Sequence, residues 1–191
     1  MLAEQSEHSQ VQKKLSNIII EESGRLNDIV TDFLDFARPQ VPNLQDCSLS
    51  EVIERNVTFL RPELDKKGVI VNDGNLGDKP YTTRADPGLL HRAFLNIFIN
   101  SIQAMEDGGN ITIRIEEQKE NHRVEIQDTG IGIRDENLKK IFSPFFTTKE
   151  KGSGLGLSIV KNIIEGHKGK VWIESEEGVG TKVFLTLPRR Q

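Results

Sequence analysis

Apolar residues fall in two runs spaced by three and four: Val11, Leu15 and Ile18, then Leu26, Ile29, Phe33 and Phe36. This is the heptad-like seam of one long helix over residues 4–38. Ile19, Ile20, Val30 and Leu34 widen the seam into a broad apolar face. Alone, such a helix exposes too much hydrocarbon, so it needs a partner helix. Glu22 interrupts the seam, and Gly24 weakens the helix by up to about 1 kcal/mol relative to alanine. The segment is either a dimerisation or signalling helix or a core helix of the same domain as the rest of the chain. Pro39 and Pro42 cut it off and favour the first reading.

Residues 39–48 read as a linker. Leu49, Val52, Ile53, Leu60 and Leu64 give the next helix one apolar face, with Ser48 or Ser50 as its cap and Gly68 as its end. Pro62 lies inside it and is a candidate kink. Val69–Val71 and Tyr81–Arg84 read as short strands. Asp86 followed by Pro87 suits an N-cap and first helical position, and that helix runs to about Met105. Ile111, Ile113 and Ile115, then Val124 and Ile126, alternate with polar residues, which predicts a hairpin across residues 118–121. Leu155–Glu165 is again helical, and Val171–Glu174 with Lys182–Leu187 forms a last hairpin.

Between the two hairpins the periodicity fails. Residues 128–157 run D-T-G-I-G-I, then F-S-P-F-F-T-T-K, then G-S-G-L-G-L. Compact domains rarely carry a structureless connection beyond about 12–15 residues unless it works as a lid or binding loop. The stretch reads as the lid of a nucleotide pocket. Gly152, Ser153, Gly154, Leu155, Gly156 and Leu157 lead into a helix, whose first turn offers free N–H groups and a positive dipole end to phosphate. The pattern is neither a dinucleotide fingerprint nor a P-loop. Lys149 adds a positive charge, although a lone lysine is ordinarily a solvated surface residue. Asp128 ends a strand, and its carboxylate can accept from an exocyclic amine such as that of adenine. Gly130 and Gly132 let the chain pass close to a base. Asn96 and Asn100 lie one turn apart on one helix face. They are either buried amides bonded to backbone or amide oxygens aimed at a metal or phosphate.

Composition narrows the class. The chain has 191 residues, 36% hydrophobic, with net charge −4. That suits one domain plus an appendage and argues against a nucleic-acid partner, which wants a basic stripe. No run approaches the roughly 18 apolar residues of a membrane span, and no signal peptide follows Met1. Cys47 is the only cysteine, so no internal disulfide or cysteine-based zinc site forms. These features point to a cytoplasmic chain, free or as the cytosolic part of a membrane-anchored sensor. His91, His122 and His167 fit no metal spacing and read as structural or exposed.

Taken in order, the motifs resemble those of the sensor histidine kinases, in the ATP-binding superfamily shared with gyrase, MutL and the heat-shock chaperones. H-R-A-F-L-N-I-F-I-N-S-I-Q-A-M, with Asn96 and Asn100, resembles the N box. Asp128–Gly132 resembles the G1 box, Phe142–Lys149 the F box, Gly152–Leu157 the G2 box and Gly178–Thr181 the G3 box. The T-T-K ending and N-S-I-Q-A-M are similar to the nitrogen-regulation-type branch. E-E-S-G-R-L-N-D-I-V-T-D-F-L-D-F-A-R-P resembles the second helix of the family's dimerisation domain.

The resemblance implies an α+β two-layer sandwich of the Bergerat type, a mixed sheet under three helices, preceded by a long helix from a dimerisation hairpin. Residues 1–40 would be part of the dimerisation and phosphoacceptor region, and residues 41–191 the catalytic ATP-binding domain. It implies Mg2+ on Asn100 with Asn96 assisting, adenine on Asp128 with Thr181 close by, and phosphates on Gly152–Leu157 and Lys149. Phe142, Phe145 and Phe146 would anchor the lid. The implied activity is transfer of the γ-phosphoryl of ATP to a histidine on a phosphoacceptor helix. The implied partners are a second copy, through residues 4–38, and the receiver domain of a response regulator.

Two departures bear on this. Gyrase-like ATPases carry a glutamate where this chain has Asn96, and an amide is no general base at neutral pH, which favours phosphoryl transfer over hydrolysis. Many family kinases carry a basic residue where this chain has Gln103, which throws phosphate charge onto Lys149. His8 lacks the acidic residue and later proline of the acceptor motif, so the acceptor is expected from another helix. An ATPase switch and a non-catalytic nucleotide-binding regulator are the alternatives.

Overall fold

The computed structural model describes residues 41–149 and 152–190, together with 15–17, 19–20, 22–24, 26–27, 29–31 and 33–34; the side chain of Asp78 is not described. The chain divides into two compact units, residues 1–38 and 39–191. In the first unit every described residue is helical. Leu15, Ile19, Ile20, Leu26, Val30, Phe33 and Leu34 are all exposed there. Val11, Ile18, Phe36 and His8 lie outside the described residues.

The second unit begins with β1 (Gln45–Ser48), which pairs antiparallel with β3 (Thr82–Ala85) as a small separate sheet. The linker expected over 39–48 therefore ends in a strand. Helix α1 (Leu49–Lys67) comes next, with Ser48 Oγ accepting from Glu51 N. Pro62 does not interrupt it, and Gly68 at φ 65° closes it. Strand β2 (Val69–Asn72) and then β3 lead to α2 (Pro87–Gln103), which Asp86 caps by accepting from the Gly88 and Leu89 N–H groups. The helix stops two residues short of Met105.

The main sheet also holds β4 (Gly109–Glu117), β5 (Asn121–Asp128), β6 (Lys170–Glu176) and β7 (Gly180–Pro188). Its order is β2-β4-β5-β7-β6, with β2 parallel to β4 and the other pairs antiparallel. Register lines Ile111, Ile113 and Ile115 against Asp128, Ile126 and Val124, and these in turn against Thr181, Val183 and Leu185. Strand side chains alternate between faces, so these residues form one inner face. All are buried. Asp128 thus occupies the last inward place on β5, in a row that runs His122, Val124, Ile126, Asp128.

Two more helices complete the domain: short α3 (Asp135–Leu138) and α4 (Gly156–Gly166). Helix α2 packs against both α1 and α4. Its Leu90, Phe94, Ile97 and Phe98 are almost fully buried, each contributing about 1.5–3 kcal/mol through burial. That packing fixes the face of α2 that carries Asn96 and Asn100. The α+β two-layer arrangement, a mixed sheet under the helices α1, α2 and α4, is the one expected.

Candidate active site

Asp128 is 3% exposed. Its Oδ1 accepts from Gly130 N at 3.0 Å and Thr181 N at 3.2 Å, and its Oδ2 accepts from Ser101 Oγ at 3.0 Å. A carboxylate offers about four lone-pair sites, so three protein donors leave one, on Oδ2. Burial pushes the carboxyl above its usual range. The bonds from Gly130, Ser101 and Thr181, and the charge of Lys149, pull back in the opposite direction. The result is a held acceptor with room for one more donor.

Ser101 was missed by sequence reasoning. It sits four residues after Ile97 in the buried row of α2. A serine in that row needs a buried partner, and that need was the available signal. Thr181 serves Asp128 through its backbone N–H. Its hydroxyl lies 2.9 Å from Ser175 Oγ. Ser175 donates to Gly180 O and accepts from Ile133 N, so Thr181 is the donor between the hydroxyls and keeps its own lone pairs.

The turn after Asp128 depends on small residues. Gly130 passes under the end of α2, where a Cβ would lie 2.6 Å from Ala104 O, and Ile131 N donates to the same carbonyl at 3.0 Å. Gly132 has φ +69°, and a Cβ there would lie 2.0 Å from Glu176 O. Gly132→Ala is expected to cost about 2 kcal/mol or more of stability, because the left-handed backbone and the clash add. Denaturant titration checks this; an unchanged midpoint would contradict the geometry.

Asn96 and Asn100 stand half-buried on α2 opposite the start of α4. Asn96 donates to Arg92 O at 3.1 Å. A Cβ on Gly156 would come within 2.8 Å of Asn96 Oδ1 and 3.8 Å of Asn100 Nδ2. A side chain at 156 would push the Asn96 amide aside, so glycine there leaves that amide undisturbed. Leu155 is the N-cap of α4 and makes no side-chain cap bond; it is fully buried. Its N–H is taken by Ser153 Oγ at 3.3 Å. The N-cap Leu155 thus brings no side-chain acceptor to the first turn, which suits it to phosphate oxygens. Gly154 has φ +68° and runs against the Phe145 backbone, 2.5 Å from where its Cβ would sit. Gly152 packs beside Thr147, and Leu157 is half-buried.

Lys149 reaches back to α2. The residue is exposed as a whole, and its ammonium donates to Asn100 Oδ1 at 2.9 Å and Gln103 Oε1 at 2.6 Å. Local burial of that end lowers its pKa, and the Asp128 charge acts the other way. Asn100 Oδ1 is thus an oxygen already facing a cation. Neutral carbonyl oxygens suit Mg2+, which keeps several waters and takes few protein ligands. The donor set fits Mg2+ with a nucleotide: one open carboxylate site, one amide oxygen and an uncapped helix start. Asp128, Asn96, Asn100, Lys149, Gly130, Thr181 and Gly152–Leu157 are brought to one region; Gly132 shapes the turn beside it. Phe145 is exposed, with φ 64°, and Phe142 and Phe146 are half-buried.

The remaining histidines have structural roles. His167 Nδ1–H donates to Ile163 O and its Nε2 accepts from Asp86 N. His122 is buried against Tyr81, and His91 stands edge-on to Phe59. Among the described residues no His, Cys, Asp and Glu cluster could hold a metal, and no helix is long and apolar enough to cross a membrane.

Comparison with known proteins places this geometry. Residues 85–191 match the family described as histidine kinase-, DNA gyrase B-, and HSP90-like ATPase. Sporulation kinase E of Bacillus subtilis (strain 168) is 36% identical over 176 residues, which are 92% of this chain and 24% of that protein. The chain thus spans about a quarter of that relative's length. The catalytic domain of histidine kinase ThkA is 31% identical with a TM-score of 0.68, over 77% of this chain and 96% of that one. ThkA in complex with the response regulator protein TrrA is 30% identical with a TM-score of 0.77, over 91% of this chain and 50% of that one. The chain belongs to the histidine kinase-, DNA gyrase B- and HSP90-like ATPase family, as a relative of histidine kinase catalytic domains.

Proposed function

We propose that residues 41–191 are the ATP-binding core of a sensor histidine kinase of the nitrogen-regulation type. It transfers the γ-phosphoryl of Mg-ATP to a histidine on a dimerisation helix, for relay to a response regulator. The observation that carries this is the open Oδ2 site of buried Asp128, bonded to Ser101 next to Asn100, on the α2 face that the start of α4 approaches.

Asp128 accepts the adenine amine, and Gly130 and Thr181 hold its other oxygen in place. Asn100 Oδ1 holds the metal, with Asn96 beside it. Bound Mg2+ supplies charge that neutralises the phosphate oxygens during transfer. The first N–H groups of α4 and the Lys149 ammonium orient the terminal phosphates and stabilise charge that develops there. The receiving imidazole nitrogen forms a P–N bond as the P–O bond to ADP breaks. Asn96 carries no basic group that would activate water instead.

Residues 1–40 are read as the second helix of the dimerisation region. The exposed apolar residues of the first unit support a homodimer there. The complex of ThkA with a response regulator protein supports a receiver domain as partner. A cytoplasmic location suits both.

The test uses γ-labelled ATP with the chain and a separate helical fragment that carries an acceptor histidine. Acid-labile label on the fragment is expected. Label released as free phosphate at high turnover would instead make the chain an ATPase switch, and label on His8 would overturn transfer to another helix.

A further inference from the structure

Lys149 belongs to the glycine-rich segment, yet its ammonium is bonded to α2. It donates to Asn100 Oδ1 at 2.9 Å and to Gln103 Oε1 at 2.6 Å. An ammonium has three donors and no acceptor, so two of its three bonds are made to neutral amide oxygens one helical turn apart. A cationic side chain at 103 would repel it; Gln103 attracts it. The segment around it is shaped for this reach. Thr147 Oγ1 accepts from Lys149 N at 3.1 Å, and Gly154 runs against the Phe145 backbone. Asp128 lies close enough to act on the Lys149 charge. One of the two amides that bind this ammonium is the amide assigned to the metal.

We infer that Gln103 is a positioning residue: with Asn100 it clasps Lys149 onto α2 in the nucleotide-free protein, the ammonium standing where Mg2+ would stand. This rests on the metal and phosphate roles proposed above for Asn100 and Lys149. Two cations cannot share Asn100 Oδ1 at close range. Entry of magnesium nucleotide therefore exchanges the ammonium for the metal at Asn100. It leaves Lys149 held by Gln103 alone, free to turn to the phosphates. Gln103 thus sets how firmly the segment is held before nucleotide arrives and does not itself touch the nucleotide.

Amide hydrogen exchange of residues 141–149, in the nucleotide-free protein, reads the clasp directly. Gln103→Leu removes one acceptor and is expected to speed exchange about three-fold or more, and Gln103→Glu, which adds an ion pair, to slow it comparably. Equal rates in all three proteins, or faster exchange in Gln103→Glu, would overturn the clasp. A second readout separates positioning from binding. Lys149→Met is expected to reduce the preference for MgATP over MgADP about ten-fold, the scale of one charge-assisted bond. Gln103→Leu should keep that preference. Its loss in Gln103→Leu would mean that Gln103 contacts phosphate itself, against the assignment. Exchange differences that persist in a chain unable to bind MgATP would leave the clasp standing and remove the proposed function.

Discussion

Asp128→Asn is expected to lower ATP affinity at least about 30-fold while leaving the fold intact, a loss on the scale of one or two hydrogen bonds to a charged group. The reason lies in the partners of the carboxylate. The amide oxygen of asparagine would still accept from Gly130 N and Thr181 N, and the Ser101 hydroxyl can rotate to accept from the new amide N–H. Every protein bond is preserved. The remaining outward site changes from a lone pair into an N–H, which faces the adenine amine donor to donor.

Linkage gives this variant a stability signature. Burial raises the folded-state pKa of Asp128 above the usual carboxylate range. An acid whose folded pKa is raised takes up its proton more readily in the folded state. Its ionised form therefore lowers stability as pH rises through that pKa. At neutral pH, removal of the charge should leave stability equal or higher. For binding the sign reverses, because the ionised carboxylate is the acceptor. ATP affinity should fall on acidification, beginning above the pH at which an exposed aspartate titrates. Calorimetry of ATP binding with denaturant titration of both proteins checks these effects. Unchanged affinity in Asp128→Asn would remove Asp128 from the site, and a collapsed fold would make its role structural.

Asn100→Ala is expected to abolish the gain in ATP affinity that Mg2+ gives and to reduce phosphoryl transfer at least about 10²-fold. Asn96 does not replace it, because its amide nitrogen is engaged with Arg92 O and its oxygen faces Gly156. Metal-free ADP binding should persist, since the adenine contact proposed for Asp128 does not involve Asn100. Titrations with Mg2+ and with a chelator separate the two. Magnesium dependence retained in Asn100→Ala would put the metal on other residues.

Much of this was legible from periodicity. The alternation of Ile111, Ile113 and Ile115 with Val124 and Ile126 gave the hairpin and put Asp128 at the end of its second strand; that its carboxylate is buried came only with the structure. Asp86-Pro87 marked the start of α2, and its face of Asn96 and Asn100 followed from helical geometry. What escaped depended on distant contacts. Gln45–Ser48 shows no apolar alternation and became a strand through pairing with β3, some 37 residues away by the register Gln45↔Ala85 through Ser48↔Thr82. The length of the lid hid α3, four residues long. Ser101 acquires meaning only from Asp128, 27 residues later. Lys149 was visible as a charge, but its bond to Asn100 spans 49 residues and no local pattern predicts it.

The most direct test is a crystal structure of the chain with Mg2+ and a non-hydrolysable ATP analogue. The adenine amine is expected on Asp128 Oδ2, the metal on Asn100 Oδ1, phosphate at the first turn of α4 and Lys149 moved off Asn100. Adenine bound away from Asp128, or Lys149 still seated on Asn100 with the metal elsewhere, would contradict that arrangement.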